Sequence, residues 1–180
     1  CGAKYAVAVS NGTAALHLAY LAAGLGPGDE AITTPNTFAA TANMILAVGA
    51  KPVFCDIRKD SCNIDEKKIE PLINKKTRMI VPVHFAGRPC EMKKINETAK
   101  KYKLVVIEDA CHALGAEYQN LKIGDCYFSD MAVFSFHPVK SITTGEGGAI
   151  LTNNRRYYDK IKLLRSHGIK KDKKMLVDKG

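Results

Sequence analysis

The stretch Leu104-Val105-Val106-Ile107 has no polar face and closes on two carboxylates, Glu108-Asp109. A strand that is apolar on both faces needs cover from both sides, which is the place of a strand inside a mostly parallel sheet flanked by helices. The rest of the chain keeps to that plan. Short β-branched runs predict further strands at 5–9, 30–34, 52–56, 79–83, 131–136 and 149–152, and helical periods predict helices at 36–48, 65–73, 91–102 and 155–166. A first helix starts at Gly12 or Thr13, where Ser10-Asn11 can cap it, and stops in the turn cluster Gly24-Leu25-Gly26-Pro27-Gly28-Asp29. Those glycines follow a helix and not a strand, so they read as a turn and not as a dinucleotide loop. The fold class is α/β: one mostly parallel sheet sandwiched by helices, with ligands expected at the carboxyl ends of its strands.

At 180 residues there is room for one well-buried domain. The 27 basic and 18 acidic side chains give a net charge of +9. That sum alone leaves nucleic acid, membrane surfaces and anionic substrates open. Ten of the Lys and Arg residues lie between Arg155 and Gly180 against three acids, so most of the excess belongs to one basic helix and a loose segment at Lys170–Lys174. No aromatic residue interleaves the cationic run after Tyr157-Tyr158, which argues against a stacking platform for nucleic acid. No apolar run approaches membrane-spanning length. Six cysteines (1, 55, 62, 90, 111 and 126) form no Cys-x-x-Cys pair and have no His at finger spacing. No metal site is expected from them, and scattered thiols without an export signal point to a reducing cytoplasm. The neighbours Cys111-His112 do not read as a thiol–imidazole nucleophile, because adjacent side chains point different ways.

Three features carry chemistry. Asp109 closes a buried strand, where a carboxylate is costly without a cationic or hydrogen-bonding partner. Lys140 stands in the small-residue loop from Ser135 to Gly148, between two apolar strands. The Gly12-Thr13 helix start presents free N–H groups that favour a phosphate. Singly, each has an ordinary reading: a turn acid, a solvated lysine, a capped helix. Together they are the parts that hold pyridoxal phosphate, with a Schiff-base lysine, an acid on the ring nitrogen and a phosphate-binding helix end.

At this point the chain resembles a known family. Ser10-Asn11-Gly12-Thr13-Ala14-Ala15-Leu16, Thr33-Thr34-Pro35-Asn36-Thr37-Phe38-Ala39-Ala40-Thr41-Ala42-Asn43, Glu108-Asp109-Ala110-Cys111-His112-Ala113-Leu114-Gly115, Phe134-Ser135-Phe136-His137-Pro138-Val139-Lys140 through Gly148, and Leu164-Arg165-Ser166-His167-Gly168 are similar to motifs of the DegT/DnrJ/EryC1/StrS sugar-nucleotide aminotransferases, fold type I pyridoxal phosphate enzymes. The resemblance implies that Gly12, Thr13 and the Ser135 hydroxyl bind the phosphate. It implies that Phe38 stacks on the pyridine ring, Asp109 pairs with the ring nitrogen, His112 stands beside the ring, and Lys140 is the Schiff-base lysine and proton shuttle. Without the resemblance, Phe38 reads as a core or staple residue and His112 as structural. His84 and His137 remain possible site-wall residues with no assigned role. Some members carry His at the lysine position and act as dehydratases; the lysine here implies transamination.

Segments 33–43, 61–64 and 134–144 look most like the transaminases of the pseudaminic-acid pathway. That implies glutamate as amino donor and C4 of a UDP-linked 4-keto-6-deoxy-N-acetylhexosamine as acceptor, giving UDP-4-amino-4,6-dideoxy-N-acetyl-β-L-altrosamine for surface glycan synthesis. The same resemblance implies that residues 1–180 are part of a pyridoxal-phosphate-binding large domain. Further chain is expected at both ends, including a small C-terminal domain, and the active site is expected to be shared across a homodimer. A non-catalytic relative that binds the cofactor or a nucleotide sugar is the alternative, against which the intact Lys140 and Asp109 argue.

Overall fold

The structure, a computed structural model, describes residues 1–169; the expected loose segment at 170–174 lies outside them. Among the described residues, nine strands and five α-helices follow in the order β1 (Tyr5–Val9), α1 (Gly12–Ala23), β2 (Glu30–Thr33), α2 (Ala40–Ala47), β3 (Lys51–Phe54), α3 (Glu66–Ile69), β4 (Thr77–Ile80), α4 (Met92–Tyr102), β5 (Val105–Asp109), β6 (Glu117–Tyr118), β7 (Leu121–Lys122), β8 (Met131–Ser135), β9 (Gly148–Thr152) and α5 (Arg155–Arg165). Seven strands form one sheet in the order β1-β9-β8-β5-β4-β2-β3, and β6-β7 is a separate hairpin. Only β9 runs against the others, antiparallel to both β1 and β8. The mostly parallel sheet read from the sequence is the sheet observed.

Alternation along the strands divides the core. On β5, Ile107 faces the cluster under α1, α2 and α5, whereas Val106 faces the cluster under α3 and α4. On β2, Ala31 and Ile32 divide the same way. This is the two-residue period of a strand buried on both faces. It places the carboxylates of β5 on opposite sides, with Asp109 on the side of Ile107 and α1, and Glu108 on the other.

Two helices depart from their expected bounds. The 36–48 prediction becomes α2 from Ala40, because Asn36 and Thr37 are committed to a turn: Asn36 N–H donates to Thr34 Oγ1 at 3.2 Å and the Asn36 amide to the Cys62 carbonyl at 3.0 Å. The 65–73 prediction splits into α3 and a 3-10 turn at Glu70–Leu72, since Pro71 has no N–H to continue the α-helical ladder. The hairpin β6-β7 was not expected. Gln119 and Asn120 both take the left-handed region, at φ 51° and 64°, the backbone of a two-residue hairpin turn. In α5 only Ile161 is fully buried, so the basic helix keeps its charges toward solvent, as the charge pattern suggested. Among the described residues, no helix is long and apolar enough to cross a membrane.

Candidate active site

The site forms where β5 and β8 end and α1 begins. Asn11 leaves β1 in an extended conformation and caps α1, its side chain accepting the Ala14 N–H at 2.7 Å and its carbonyl the Ala15 N–H at 3.1 Å. The N–H groups of Gly12 and Thr13 have no partner among the described residues, so the positive end of the helix opens into the pocket. Gly148 of β9 makes this close approach possible: a Cβ there would lie 2.6 Å from the Asn11 carbonyl carbon and oxygen. Ser135, the last residue of β8, closes the other side of the helix end.

Asp109 is 5% exposed and both of its oxygens are engaged. Oδ1 accepts the Cys111 N–H at 3.2 Å, and Oδ2 accepts the Thr41 hydroxyl at 2.6 Å. Thr41 in turn lies 2.8 Å from the Thr37 hydroxyl, and its carbonyl accepts the Tyr20 hydroxyl at 3.1 Å. Burial, reinforced by the neighbouring Asp109 carboxylate, pushes the Tyr20 phenol well above its ordinary value, so it stays a donor. Burial and the neighbouring Asp109 likewise push the Cys111 thiol up, which keeps it from acting as a thiolate nucleophile.

Lys140 is carried by the loop between β8 and β9. The loop is pinned at its base, where Phe136 N–H donates to the Gly147 carbonyl at 2.8 Å and Thr144 N–H to the Phe136 carbonyl at 3.0 Å. Lys140 N–H donates to the His137 carbonyl at 2.9 Å, while its ammonium makes no hydrogen bond or ion pair among the described residues. Its charge reaches His112: burial, and after it the Lys140 charge, lower the His112 pKa, so the imidazole is neutral at neutral pH. Phe38 is 73% exposed, which excludes the core reading, and its ring stands at the mouth of the site.

Gly12, Thr13, Phe38, Asp109, His112, Ser135 and Lys140 all line one cavity of about 290 Å³. That volume is at the lower end of small-molecule pockets. His137, left without a role by the sequence, lines it as well, together with Glu146, whose carboxylate is 3.9 Å from His137 Nε2. His84 does not. It is fully buried, with Nε2 2.7 Å from Glu108 and Nδ1 accepting the Cys90 N–H at 3.0 Å. The Cys90 N–H requires a lone pair on Nδ1, so the ring is the neutral tautomer with its proton on Nε2 toward Glu108. Sequence reasoning missed Thr37 and Thr41. The signal was a threonine at 41 on the same helical face as Ile45, a buried polar side chain that needed a partner.

Residues 1–179 match the DegT/DnrJ/EryC1/StrS aminotransferase family. The chain belongs to that family. It is 51% identical over 173 residues to the UDP-4-amino-4,6-dideoxy-N-acetyl-beta-L-altrosamine transaminase of Campylobacter jejuni, covering 94% of this chain and 45% of that protein. Helicobacter pylori PseC, an aminotransferase involved in the biosynthesis of pseudoaminic acid, superposes with a TM-score of 0.87 at 45% identity, over 95% of this chain and 46% of PseC. NtdA from Bacillus subtilis, solved with bound cofactor PMP, superposes with a TM-score of 0.88 at 38% identity, over 98% of this chain and 39% of NtdA. The fold is thus that of the DegT/DnrJ/EryC1/StrS aminotransferases, and the chain spans less than half the length of the curated relatives it matches.

Proposed function

We propose that this chain supplies the cofactor-binding part of a pyridoxal-phosphate-dependent nucleotide-sugar aminotransferase. It moves the amino group of glutamate to C4 of a UDP-linked 4-keto-6-deoxy-N-acetylhexosamine. The observation that carries the reading is the convergence of a helix end with two unpartnered N–H groups, a buried strand-end carboxylate and a lysine without an ion pair among the described residues on one cavity.

The residues present fit the cofactor. A Cβ on Gly12 would lie 2.9 Å from Ser135 Cβ and 3.3 Å from Cys111 Sγ, so the cradle at the helix end exists only because residue 12 lacks a side chain. When bound, the cofactor supplies an electron sink for removing the proton on the donor's α-carbon. In this reading the N–H groups of Gly12 and Thr13 and the Ser135 hydroxyl bind its phosphate, and the Asp109 carboxylate accepts the ring N–H. Phe38 covers one ring face and neutral His112 stands beside the ring. Lys140 Nζ would hold the cofactor covalently between turnovers. Once displaced, it would take the proton from the donor α-carbon, which becomes the keto carbon of 2-oxoglutarate, and pass it to the cofactor. The sugar pocket is completed by a partner subunit in a homodimer. A cytoplasmic setting agrees with the six cysteines, all free.

The test is amino transfer from glutamate to the UDP-linked 4-keto sugar, read as 2-oxoglutarate formed and amino sugar recovered. Asp109→Asn slows the glutamate half-reaction while cofactor remains bound. Equal half-reaction rates in parent and Asp109→Asn would remove the ring-nitrogen role from Asp109. Transfer to a GDP- or TDP-linked keto sugar in preference to the UDP-linked one would overturn the substrate.

A further inference from the structure

Thr41 has one hydroxyl proton and three oxygen neighbours: Asp109 Oδ2 at 2.6 Å, Thr37 Oγ1 at 2.8 Å and the Phe38 carbonyl at 3.3 Å. Chemistry settles where the proton goes. An ionised carboxylate only accepts, so the Thr41 hydroxyl donates to Asp109 and therefore receives from Thr37. The Phe38 carbonyl takes the Thr41 N–H instead, at 3.2 Å. The direction of the chain is Thr37 to Thr41 to Asp109.

Thr41 itself has nowhere to move. It is fully buried in the first turn of α2, and the Tyr20 hydroxyl of α1 holds its carbonyl. Without it, Asp109 keeps a single internal donor, the Cys111 N–H at 3.2 Å, and its carboxylate is free to turn about the strand end. The segment 37–38 would also lose its link to β5.

We propose that Thr41 is a positioning residue. Its hydroxyl fixes the Asp109 carboxylate and, through Thr37, ties it to the segment bearing Phe38, so that the acid at the ring nitrogen and the aromatic on the ring face are held as one unit. The proposal rests on the reading that this cavity takes pyridoxal phosphate, and its test separates the two. Dissociation constants are measured for pyridoxal phosphate and for its 1-deaza analogue, in which C–H replaces the ring nitrogen, on the full chain and on Thr41→Val, Thr41→Ser and Thr37→Val. Losing a hydrogen bond to a charged group weakens pyridoxal phosphate by roughly tenfold in Thr41→Val. The deaza analogue weakens distinctly less, through the loosened Phe38 segment alone, because Asp109 has no N–H to meet there. Thr41→Ser, which keeps the hydroxyl, restores both the affinity and the visible band of the bound cofactor. Thr37→Val, which removes only the second donor, shows a smaller loss in the same direction and covers the case in which Thr41→Val does not fold. Equal weakening of both ligands in Thr41→Val, or no weakening of either, overturns the proposal and leaves the functional reading intact. A parent chain that binds neither ligand overturns the functional reading and the proposal with it.

Discussion

Gly12 and Ser135 meet at the mouth of the site, with the position of a Cβ on Gly12 only 2.9 Å from Ser135 Cβ. The contact joins the start of α1 to the end of β8, and it is what leaves the helix N–H groups facing the cavity. Gly12→Ala sets a Cβ against Ser135 Cβ, which is fixed to β8, so the helix start and the strand end must move apart. Pyridoxal phosphate binding weakens by about tenfold, the effect of displacing a phosphate from helix N–H donors. Equilibrium dialysis checks this, and unchanged affinity would remove the helix end from the site.

His112 makes stability depend on pH. Burial and the Lys140 charge hold its pKa below the ordinary 6.5. Between the lowered folded value and 6.5 the unfolded chain binds a proton that the folded chain does not, so stability rises with pH across that window. The contribution is complete above 6.5 and is lost as pH falls. Denaturant unfolding at a series of pH values, parent against His112→Gln, should show the variant with the shallower slope in the window just below 6.5. Parallel curves would place His112 in ordinary solvent.

The opposite side of β5 carries a structural pair. Glu108 accepts from His84 Nε2 at 2.7 Å and from the Ser129 hydroxyl, with His84 fully buried. His84→Ala leaves the carboxylate short of a donor and lowers stability by about 2 kcal/mol, the cost of removing a buried hydrogen bond to a charged group. Nitrogen NMR of the parent at neutral pH should find the proton on Nε2 and a bare Nδ1. A doubly protonated ring would contradict the Cys90 hydrogen bond.

The thiols divide by environment. Cys1 and Cys62 are exposed. Burial, then Asp65, pushes Cys55 up to about 12, and burial raises Cys111 and Cys126 as well. Iodoacetamide at pH 8 should alkylate Cys1 and Cys62 first, read by peptide mass, because the thiolate is the reacting form. Early alkylation of Cys111 would mean that the Asp109 strand end is open to solvent.

Much of this site was legible in the sequence, and the reasons are local. Asn11 caps the helix that begins at Gly12, and the apolar run before Asp109 has to be a buried strand; both follow from nearest neighbours. The start of α2 was not legible. Helical period alone carries it back to 36, whereas the Asn36 amide is committed to the Cys62 carbonyl at 3.0 Å, a contact across 26 positions. Thr41 was missed for the same reason: its partner Asp109 is 68 residues away, and only the folded sheet brings them to 2.6 Å. Glu108 and Asp109 look alike in sequence, but strand alternation sends one to His84 and the other to the cavity. Gln119-Asn120 is a weak turn signal beside Asn-Gly, so the β6-β7 hairpin was overlooked.

The most direct test of the account is where pyridoxal phosphate attaches. The chain and Lys140→Ala are each incubated with the cofactor, their visible spectra are recorded, and the samples are reduced with borohydride and mapped by peptide mass. The account predicts a yellow band in the parent that borohydride bleaches, with the pyridoxyl mass on the peptide containing Lys140. It predicts no such band or mass in Lys140→Ala, which stays folded because a loop lysine contributes little packing. A reducible adduct on another lysine, or one that persists in Lys140→Ala, would contradict it.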